Sequence, residues 1–149
     1  MKIYDISRQI SEATAVWPGD VPFSWREVET PGSGAPYGST CFTMSAHCGT
    51  HADAPSHVLA GGETIGAAPL AAIRLAEKGA MLVGTDAASI DPEDAEDLPA
   101  HRALLGRGVA LLEDLNLEGV PEGEYQLIAL PLRFEALDAS PVRAILIRE

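Results

Sequence analysis

Alternating apolar and polar positions predict several strands along the chain. The segments KIYDI (residues 2–6) and FSWREVE (23–29) alternate in this way and carry β-branched or aromatic residues, which is typical of strands. STCFTMSAHCG (39–49) predicts a third strand, and the Gly- and Pro-rich segment before it predicts a loop. The C-terminal half predicts four more strands, in AMLVGTD (80–86), GVALLEDL (108–115), EYQLIALPLRF (124–134, ending at Pro131) and PVRAILIRE (141–149).

Two segments predict helices. LAAIRLAEKGA (70–80) fits one short helix that is closed by Gly79. SIDPEDAEDLPAHRALLGRG (89–108) predicts a helical stretch with Asp91 as its N-cap, Pro92 in its first turn and an interruption at Pro99. The segment 51–69 is predicted to be mostly irregular. The chain of 149 residues therefore predicts a single domain, 1–149, with a mixed, β-rich α/β fold and few helices.

Charge and composition exclude several classes of partner. The net charge is -12, with 22 acidic and 10 basic residues, and a field of that sign repels nucleic acid and anionic lipid. No apolar run approaches the roughly 20 residues of a membrane helix, and the N-terminus does not resemble a signal peptide. The two cysteines, Cys41 and Cys48, lack metal or disulfide-framework spacing and are expected to be free thiols. We expect a cytoplasmic protein with a small-molecule partner.

Three of the four histidines lie within eleven residues, together with one aspartate. They occupy odd positions, which share one face of an extended strand: His47, His51, Asp53 and His57. On an ideal strand the Cα atoms of His47 and His51 would lie ~13 Å apart, too far for one metal ion. We therefore expect a backbone bend at Gly49, and a turn at Pro55 that takes His57 out of the strand direction.

Imidazole and carboxylate ligands together suit zinc, manganese or iron. Asp53 lies between two histidines and could bridge two ions with its two oxygens. His101 is the fourth histidine, and Glu113 lies in an apolar strand, where a carboxylate is costly unless it is paired, protonated or metal-bound. Spacing alone leaves packing or surface roles open for both. Asp114 is the competing carboxylate, predicted to face the opposite side of the strand.

The segment HCGTHADAPSH (47–57) matches the pattern H-x-G-T-H-x-D-x-P-x-H. It resembles the metal-dependent cyclase-like hydrolases, a family that includes the bacterial kynurenine formamidases, and the likeness covers most of the chain, including VWPGDVPF (16–23). The resemblance implies a cyclase-like fold of the swivelling β/β/α type with a barrel-like sheet. It implies His47 and His51 as ligands of a first metal, His101 of a second, and Asp53 and Glu113 as bridging carboxylates. It also implies that His57 transfers protons and that Trp17 lines the substrate site.

The resemblance further implies two zinc ions per subunit, with manganese possible, a homodimer, and hydrolysis of N-formyl-L-kynurenine to L-kynurenine and formate in tryptophan breakdown. The chain is shorter than members of this family. The gap falls between IGAAPLAAI (65–73) and RLAEKGAMLVGTD (74–86), where the family has further strands. Two alternatives stay open: a related amide or lactam hydrolase of the isatin type, and a non-catalytic metal-binding remnant.

Overall fold

The computed structural model describes residues 1–32, 34, 36–67 and 80–149. Within these ranges the regular structure is mostly strand, with one α-helix and one short 3₁₀ helix. The elements are β1 (Lys2–Asp5), β2 (Ser24–Glu29), β3 (Ser39–Thr43), β4 (His51–Asp53), the 3₁₀ helix η1 (Pro55–His57), β5 (Leu82–Gly84), α1 (Pro99–Leu105), β6 (Ala110–Glu113), β7 (Gln126–Pro131) and β8 (Ala139–Arg148).

Six of the strands form one mixed sheet, which curls into a half-barrel. Its order is β1-β8-β4-β6-β5, and β7 also pairs with β8. Among the strand pairs of the described residues in this sheet, β5–β6 is parallel and the others are antiparallel. The ten-residue β8 organises the sheet, because its first residues pair with β4 while its later residues lie between β1 and β7. The predicted β-rich fold with few helices is confirmed.

The core lies beneath the middle of this sheet and is built from aliphatic side chains. β6 is the most apolar of the central strands, and its residues Leu111 and Leu112 are almost fully buried. Leu112 packs in a core cluster whose other buried members are Ile6, Ala52, Ala54, Ile65, Leu115, Ala129, Val142 and Ala144. Removal of this apolar surface from water, worth about 25 cal/mol per Å², fixes β4 and β6 against each other.

The strands β2 and β3 form a separate antiparallel hairpin. Trp25 and Phe42 are direct partners across it, and they are 52% and 65% exposed. β2 matches the predicted strand, but β3 ends at Thr43, so His47 lies in a turn rather than on the predicted strand over 39–49. Both cysteines are free.

The predicted helix over residues 89–108 is wrong in its bounds. Helix α1 begins at Pro99, and residues 89–98 form turns and bends. Proline suits the first helical turn because it lacks the N–H that would go unpaired there, so Pro99 starts the helix instead of interrupting it. Asp91 caps this helix from a distance: its carboxylate accepts hydrogen bonds from the N–H groups of Ala100 and His101 at 2.8 and 2.9 Å.

Two further predictions concern the middle of the chain. Mostly irregular structure was predicted over 51–69, and the described residues 51–67 are irregular apart from the short strand β4 and the 3₁₀ helix η1. The helix predicted over 70–80 lies outside the described residues, apart from residue 80. β5 lies at one end of the sheet path. In the described part of the chain, no helix has the length and apolar character needed to cross a membrane.

Candidate metal centre

The bend that brings the first two histidines together lies at Gly49. This residue has φ +71°, a left-handed conformation that glycine adopts without steric strain. A Cβ at this position would lie 2.9 Å from Ile10 Cγ1, so the close approach of Ile10 also requires glycine. The predicted bend is confirmed, and it turns the chain between His47 and His51, whose rings pack edge to face with centroids 4.9 Å apart.

His47, His51 and Asp53 form the first cluster of ligand atoms. His47 Nδ1 lies 3.1 Å from Asp53 Oδ1, and His51 Nε2 lies 3.5 Å from the same oxygen. His51 and Asp53 are buried because β4 lies between β6 and β8 in the sheet. The side chain of His47, the third member, is partly exposed.

Asp53, His101 and Glu113 form a second cluster, in which all three residues are buried. Asp53 Oδ2 lies 3.6 Å from His101 Nε2, and the same ring nitrogen lies 3.2 Å from Glu113 Oε1. The two oxygens of Asp53 thus face different clusters. The structure brings together all five residues that the sequence singled out as metal ligands, and they come from both halves of the chain.

Several atoms of the two clusters have no hydrogen-bond partner among the described residues. These atoms are His51 Nε2 and both carboxylate oxygens of Asp53. His47 Nδ1 approaches Asp53 Oδ1 without hydrogen-bond geometry. A buried polar atom left unpaired costs about 1–3 kcal/mol, so the convergence of three such atoms needs an explanation. Imidazole nitrogen and carboxylate oxygen are a donor set that suits zinc or manganese, and the residues present fit a metal ion.

The outward-facing nitrogen of each candidate ligand histidine has its own acceptor. His51 Nδ1 lies 2.8 Å from the carbonyl oxygen of Gly49, and His101 Nδ1 lies 2.7 Å from Asp91 Oδ2. His47 Nε2 lies 3.2 Å from Asp138 Oδ2. Each of these nitrogens can donate a hydrogen bond, which leaves the lone pair of the opposite ring nitrogen directed into a cluster, as metal-binding histidines require.

The orienting roles of Asp91 and Asp138 were not predicted from the sequence. Asp91 was expected only as a helix cap, and Asp138 had no assigned role. The sequence gives only a weak signal for these roles: Asp138 lies shortly before a predicted strand, and Asp91 precedes a proline. Their histidine partners are separated from them by 10 residues for Asp91 and by 81 or 91 residues for Asp138, so only the fold reveals these contacts.

Glu113 and Asp114 point in different directions, as predicted for neighbours on a strand. Glu113 Oε1 accepts the N–H of Ile90 at 2.7 Å, which holds its carboxylate toward the second cluster. Asp114 instead forms an ion pair with Arg8. Its φ of +54° ends the strand at this point, and its carbonyl oxygen accepts the hydroxyl of Thr50.

The carboxylates of the centre change the pKa values of two histidines. Burial alone would lower the pKa of His47, but Asp53 and Asp138 favour its protonated form and raise that pKa to about 8. Burial likewise opposes protonation of His101, whereas Glu113 and Asp91 raise its pKa to about 9. The pKa of Asp53 lies below its ordinary value because His47 and His51 outweigh the effect of its burial.

His57 lies between the two clusters. The 3₁₀ helix that follows Pro55 takes the chain out of the strand direction, as predicted. The ring of His57 is 4.3 Å from that of His47 and 5.6 Å from that of His101, measured between centroids. Its side chain is partly exposed, and its Nδ1 lies 3.2 Å from Asp138 Oδ2. His57 can therefore reach both the clusters and a molecule that arrives from solvent.

Trp17 lies at the start of a turn that is linked by hydrogen bonds to Ser45 and His47. The hydroxyl of Ser45 donates to Asp20 Oδ2 at 2.9 Å and accepts the N–H of His47 at 3.2 Å. The N–H of Asp20 in turn donates to the carbonyl oxygen of Trp17. Trp17 is 36% exposed, and its place in a substrate site stays a prediction.

Comparison with known proteins decides the family. A kynurenine formamidase from Paracidovorax citrulli is 34% identical to this chain, and the alignment covers 97% of the chain and 95% of the relative. The chain belongs to the family of cyclase-like metal-dependent hydrolases that includes kynurenine formamidase. The Cyclase family model matches residues 4–74, which include the histidine cluster and end where the sequence predicts the gap.

Solved structures share the fold. The chain resembles a structure described as a potential metal-dependent hydrolase with cyclase activity, at 24% identity and a TM-score of 0.78, covering 97% of this chain and 96% of that one. It also resembles isatin hydrolase A from Labrenzia aggregata, at 19% identity and a TM-score of 0.79, covering 97% and 93%. At these identities the likeness concerns the fold alone.

The comparison also measures the shortening. The alignment with the Paracidovorax citrulli protein spans 206 positions, whereas this chain has only 149 residues, so at least 57 of those positions have no counterpart here. None of the candidate ligands is lost with them, because both clusters are complete in the described residues.

Proposed function

We propose that this chain is a metal-dependent amide hydrolase that converts N-formyl-L-kynurenine to L-kynurenine and formate. The observation that carries the proposal is the pair of histidine–carboxylate clusters that share Asp53. The 34% identity to a kynurenine formamidase over nearly the whole chain supports the choice of substrate.

The candidate ligands divide between two zinc ions, with manganese as the alternative metal. His47 and His51 would hold the first ion and His101 the second, and Asp53 and Glu113 would supply carboxylate oxygens to the centre. A divalent ion bound there supplies Lewis-acid chemistry, which lowers the pKa of water and polarises a carbonyl oxygen. The buried carboxylates of Asp53 and Glu113 would balance part of the charge of such ions.

His57 carries the proton transfers. In the reaction water adds to the formyl carbon, the bond between that carbon and the aryl nitrogen breaks, and the amine leaves with a proton. His57 is placed to accept a proton from the nucleophile and return it to the leaving nitrogen, a contribution of roughly 100- to 10,000-fold in rate. Trp17 would pack against the aromatic ring of the substrate, a contact worth about 0.5–1.5 kcal/mol beyond its buried area.

A side-by-side assay tests the choice of substrate. The purified chain is loaded with zinc or manganese and given N-formyl-L-kynurenine and isatin separately. We expect formate and kynurenine from the first and little turnover of the second. Faster hydrolysis of isatin would favour the alternative of a lactam hydrolase. The chain shares its fold with isatin hydrolase A. Full metal occupancy without hydrolysis of either compound would favour the non-catalytic remnant, since at least 57 positions of the relative are missing here.

The homodimer and the cytoplasmic location implied by the family resemblance stay predictions. The β2–β3 hairpin exposes Trp25 and Phe42, which is apolar surface available to a second copy of the chain. Light scattering coupled to size-exclusion chromatography would give twice the 15.7 kDa mass for a dimer. A mass of one chain at all concentrations would exclude it.

A further inference from the structure

Asp138 places one carboxylate oxygen between two histidines of the centre. Its Oδ2 lies 3.2 Å from His57 Nδ1 and 3.2 Å from His47 Nε2. The two rings are 4.3 Å apart at their centroids. A single oxygen therefore contacts both the candidate proton-transfer residue and a candidate metal ligand.

The backbone of Asp138 and of the next residue pairs with β4, the strand that carries His51 and Asp53. The carbonyl oxygen of Asp138 accepts the N–H of Ala54 at 2.8 Å. The next residue, Ala139, is fully buried and is the register partner of Asp53. Asp138 thus has a defined position relative to β4, although its own side chain is partly exposed.

The chemistry of an ionised carboxylate decides where the protons lie. The side chain of Asp138 is partly exposed, and an aspartate that reaches solvent is ionised at neutral pH. An ionised carboxylate only accepts hydrogen bonds, so both ring nitrogens that face it must carry a proton. A neutral imidazole has one N–H, and the opposite nitrogen of each ring then keeps its lone pair.

We propose that Asp138 is a positioning residue that fixes the tautomers of two histidines at once. It holds the proton of His57 on Nδ1, so that Nε2 is free to take a proton during hydrolysis. It holds the proton of His47 on Nε2, so that Nδ1 is free to bind the first metal ion. The part that concerns His57 in catalysis rests on the proposed function, whereas the two tautomers do not depend on the substrate.

A competing arrangement uses the same three side chains. His47, His57 and Asp138 offer ligand atoms within 4.8 Å of one another, so a metal ion could lie among them. In that case His57 Nδ1 would carry no proton. The hydrogen-bonded arrangement is favoured because His47 already directs its other nitrogen, Nδ1, at the cluster that contains Asp53.

The tautomers can be read directly in the zinc-loaded protein. Long-range ¹H–¹⁵N NMR spectra distinguish a proton on Nδ1 from one on Nε2, and the chain has only four histidines. The His57→Gln variant identifies the signals of His57. We expect His57 to be protonated on Nδ1 in the unmodified chain, and to lose this preference in Asp138→Ala. Asp94→Ala, which removes an exposed carboxylate, should leave the spectrum of His57 unchanged.

Three results would overturn the proposal: a proton on Nε2 of His57 in the unmodified chain, a metal ion on its Nδ1, or an unaltered spectrum in Asp138→Ala. The spectrum of the unmodified chain decides the first two even where the Ala variant does not fold.

Zinc affinity and kinetics give a second readout. Partners that orient metal-ligating histidines typically contribute 10- to 100-fold to affinity or activity, so Asp138→Ala should lower zinc affinity and kcat by about that range, with KM little changed. Asp138→Asn keeps an acceptor oxygen and should recover part of both; an Asn variant no better than Ala would count against the hydrogen-bond role. If the unmodified chain hydrolyses no formamide, the proposed function fails, while the tautomers and zinc affinity still decide this inference.

Discussion

His51 and Glu113 are direct partners across the antiparallel pair β4–β6, and His51 Nε2 lies 3.6 Å from Glu113 Oε2. Opposed residues in such a pair project from the same face of the sheet, so the strand register itself joins the N-terminal ligands to a C-terminal one. Asp53, two residues beyond His51, lies on that same face.

Replacing His57 separates proton transfer from metal binding. His57→Ala should lower kcat for N-formyl-L-kynurenine by roughly 100- to 10,000-fold, the usual contribution of a general acid–base residue. Both clusters keep all their members in this variant, so zinc content should stay at the level of the unmodified chain. Elemental analysis and steady-state kinetics measure the two effects. Loss of metal from the variant would make His57 a ligand and would contradict its assignment.

Asp91 contacts both the start of helix α1 and the ring of His101 in the second cluster. Asp91→Ala removes the acceptor for the N–H groups of Ala100 and His101 and for His101 Nδ1. We expect a loss of about 1 kcal/mol in unfolding free energy from the missing cap, and a 10- to 100-fold loss of zinc affinity. Urea denaturation of the metal-free protein and zinc titration measure them. Asp94→Ala is the matched control, and an equal loss of affinity in both variants would contradict this role.

The bend at Gly49 can be tested against Gly108, a glycine with a similar positive φ. Gly49→Ala should cost about 1–2 kcal/mol for its positive φ, and more because its Cβ meets Ile10. Gly108 has φ +73° with no atom within 4 Å of an added Cβ, so Gly108→Ala should lose only the backbone part. Thermal unfolding compares the two. Zinc affinity should fall in the first variant only, and a fall in neither would show that the bend does not position the histidines.

The pH dependence of the metal-free protein follows from two raised pKa values. His47 and His101 have pKa values of about 8 and about 9 in the folded chain, against an ordinary value of 6.5. Their protonated forms therefore stabilise the fold fully below pH 6.5, and this stabilisation is lost as the pH rises through 8 and 9. The unfolding free energy without metal should fall between pH 6.5 and 9.

Zinc titration tests the same protonation of His47 and His101 through the protons that are released on binding. Binding must displace these protons, so titration calorimetry near pH 7 in buffers of different ionisation enthalpy should show proton release. Metal-free stability that rises over the pH window from 6.5 to 9, or binding without proton release, would contradict the assignment.

Local chemistry made part of the fold and site predictable. The odd positions of the histidines, together with Gly49 and Pro55, predicted a bent segment with His57 outside the strand direction, because glycine permits a positive φ and proline fixes its own φ. Pro99 was misjudged because a proline both ends and begins helices, and the decisive cap, Asp91, lies eight residues before it. The roles of Asp138 and of the short strand β4 depend on pairing with β8, which no local pattern specifies.

The central claim is that one carboxylate, Asp53, is shared by two metal ions. Its most direct test is the zinc content of the purified chain after saturation and dialysis, measured for the unmodified protein, for Asp53→Ala and for the control Asp94→Ala. The account predicts two ions per chain in the first and third, and loss of metal together with formamide hydrolysis in Asp53→Ala. An unmodified chain that retains fewer than two zinc ions, or an Asp53→Ala variant that keeps both ions or full turnover, would contradict it.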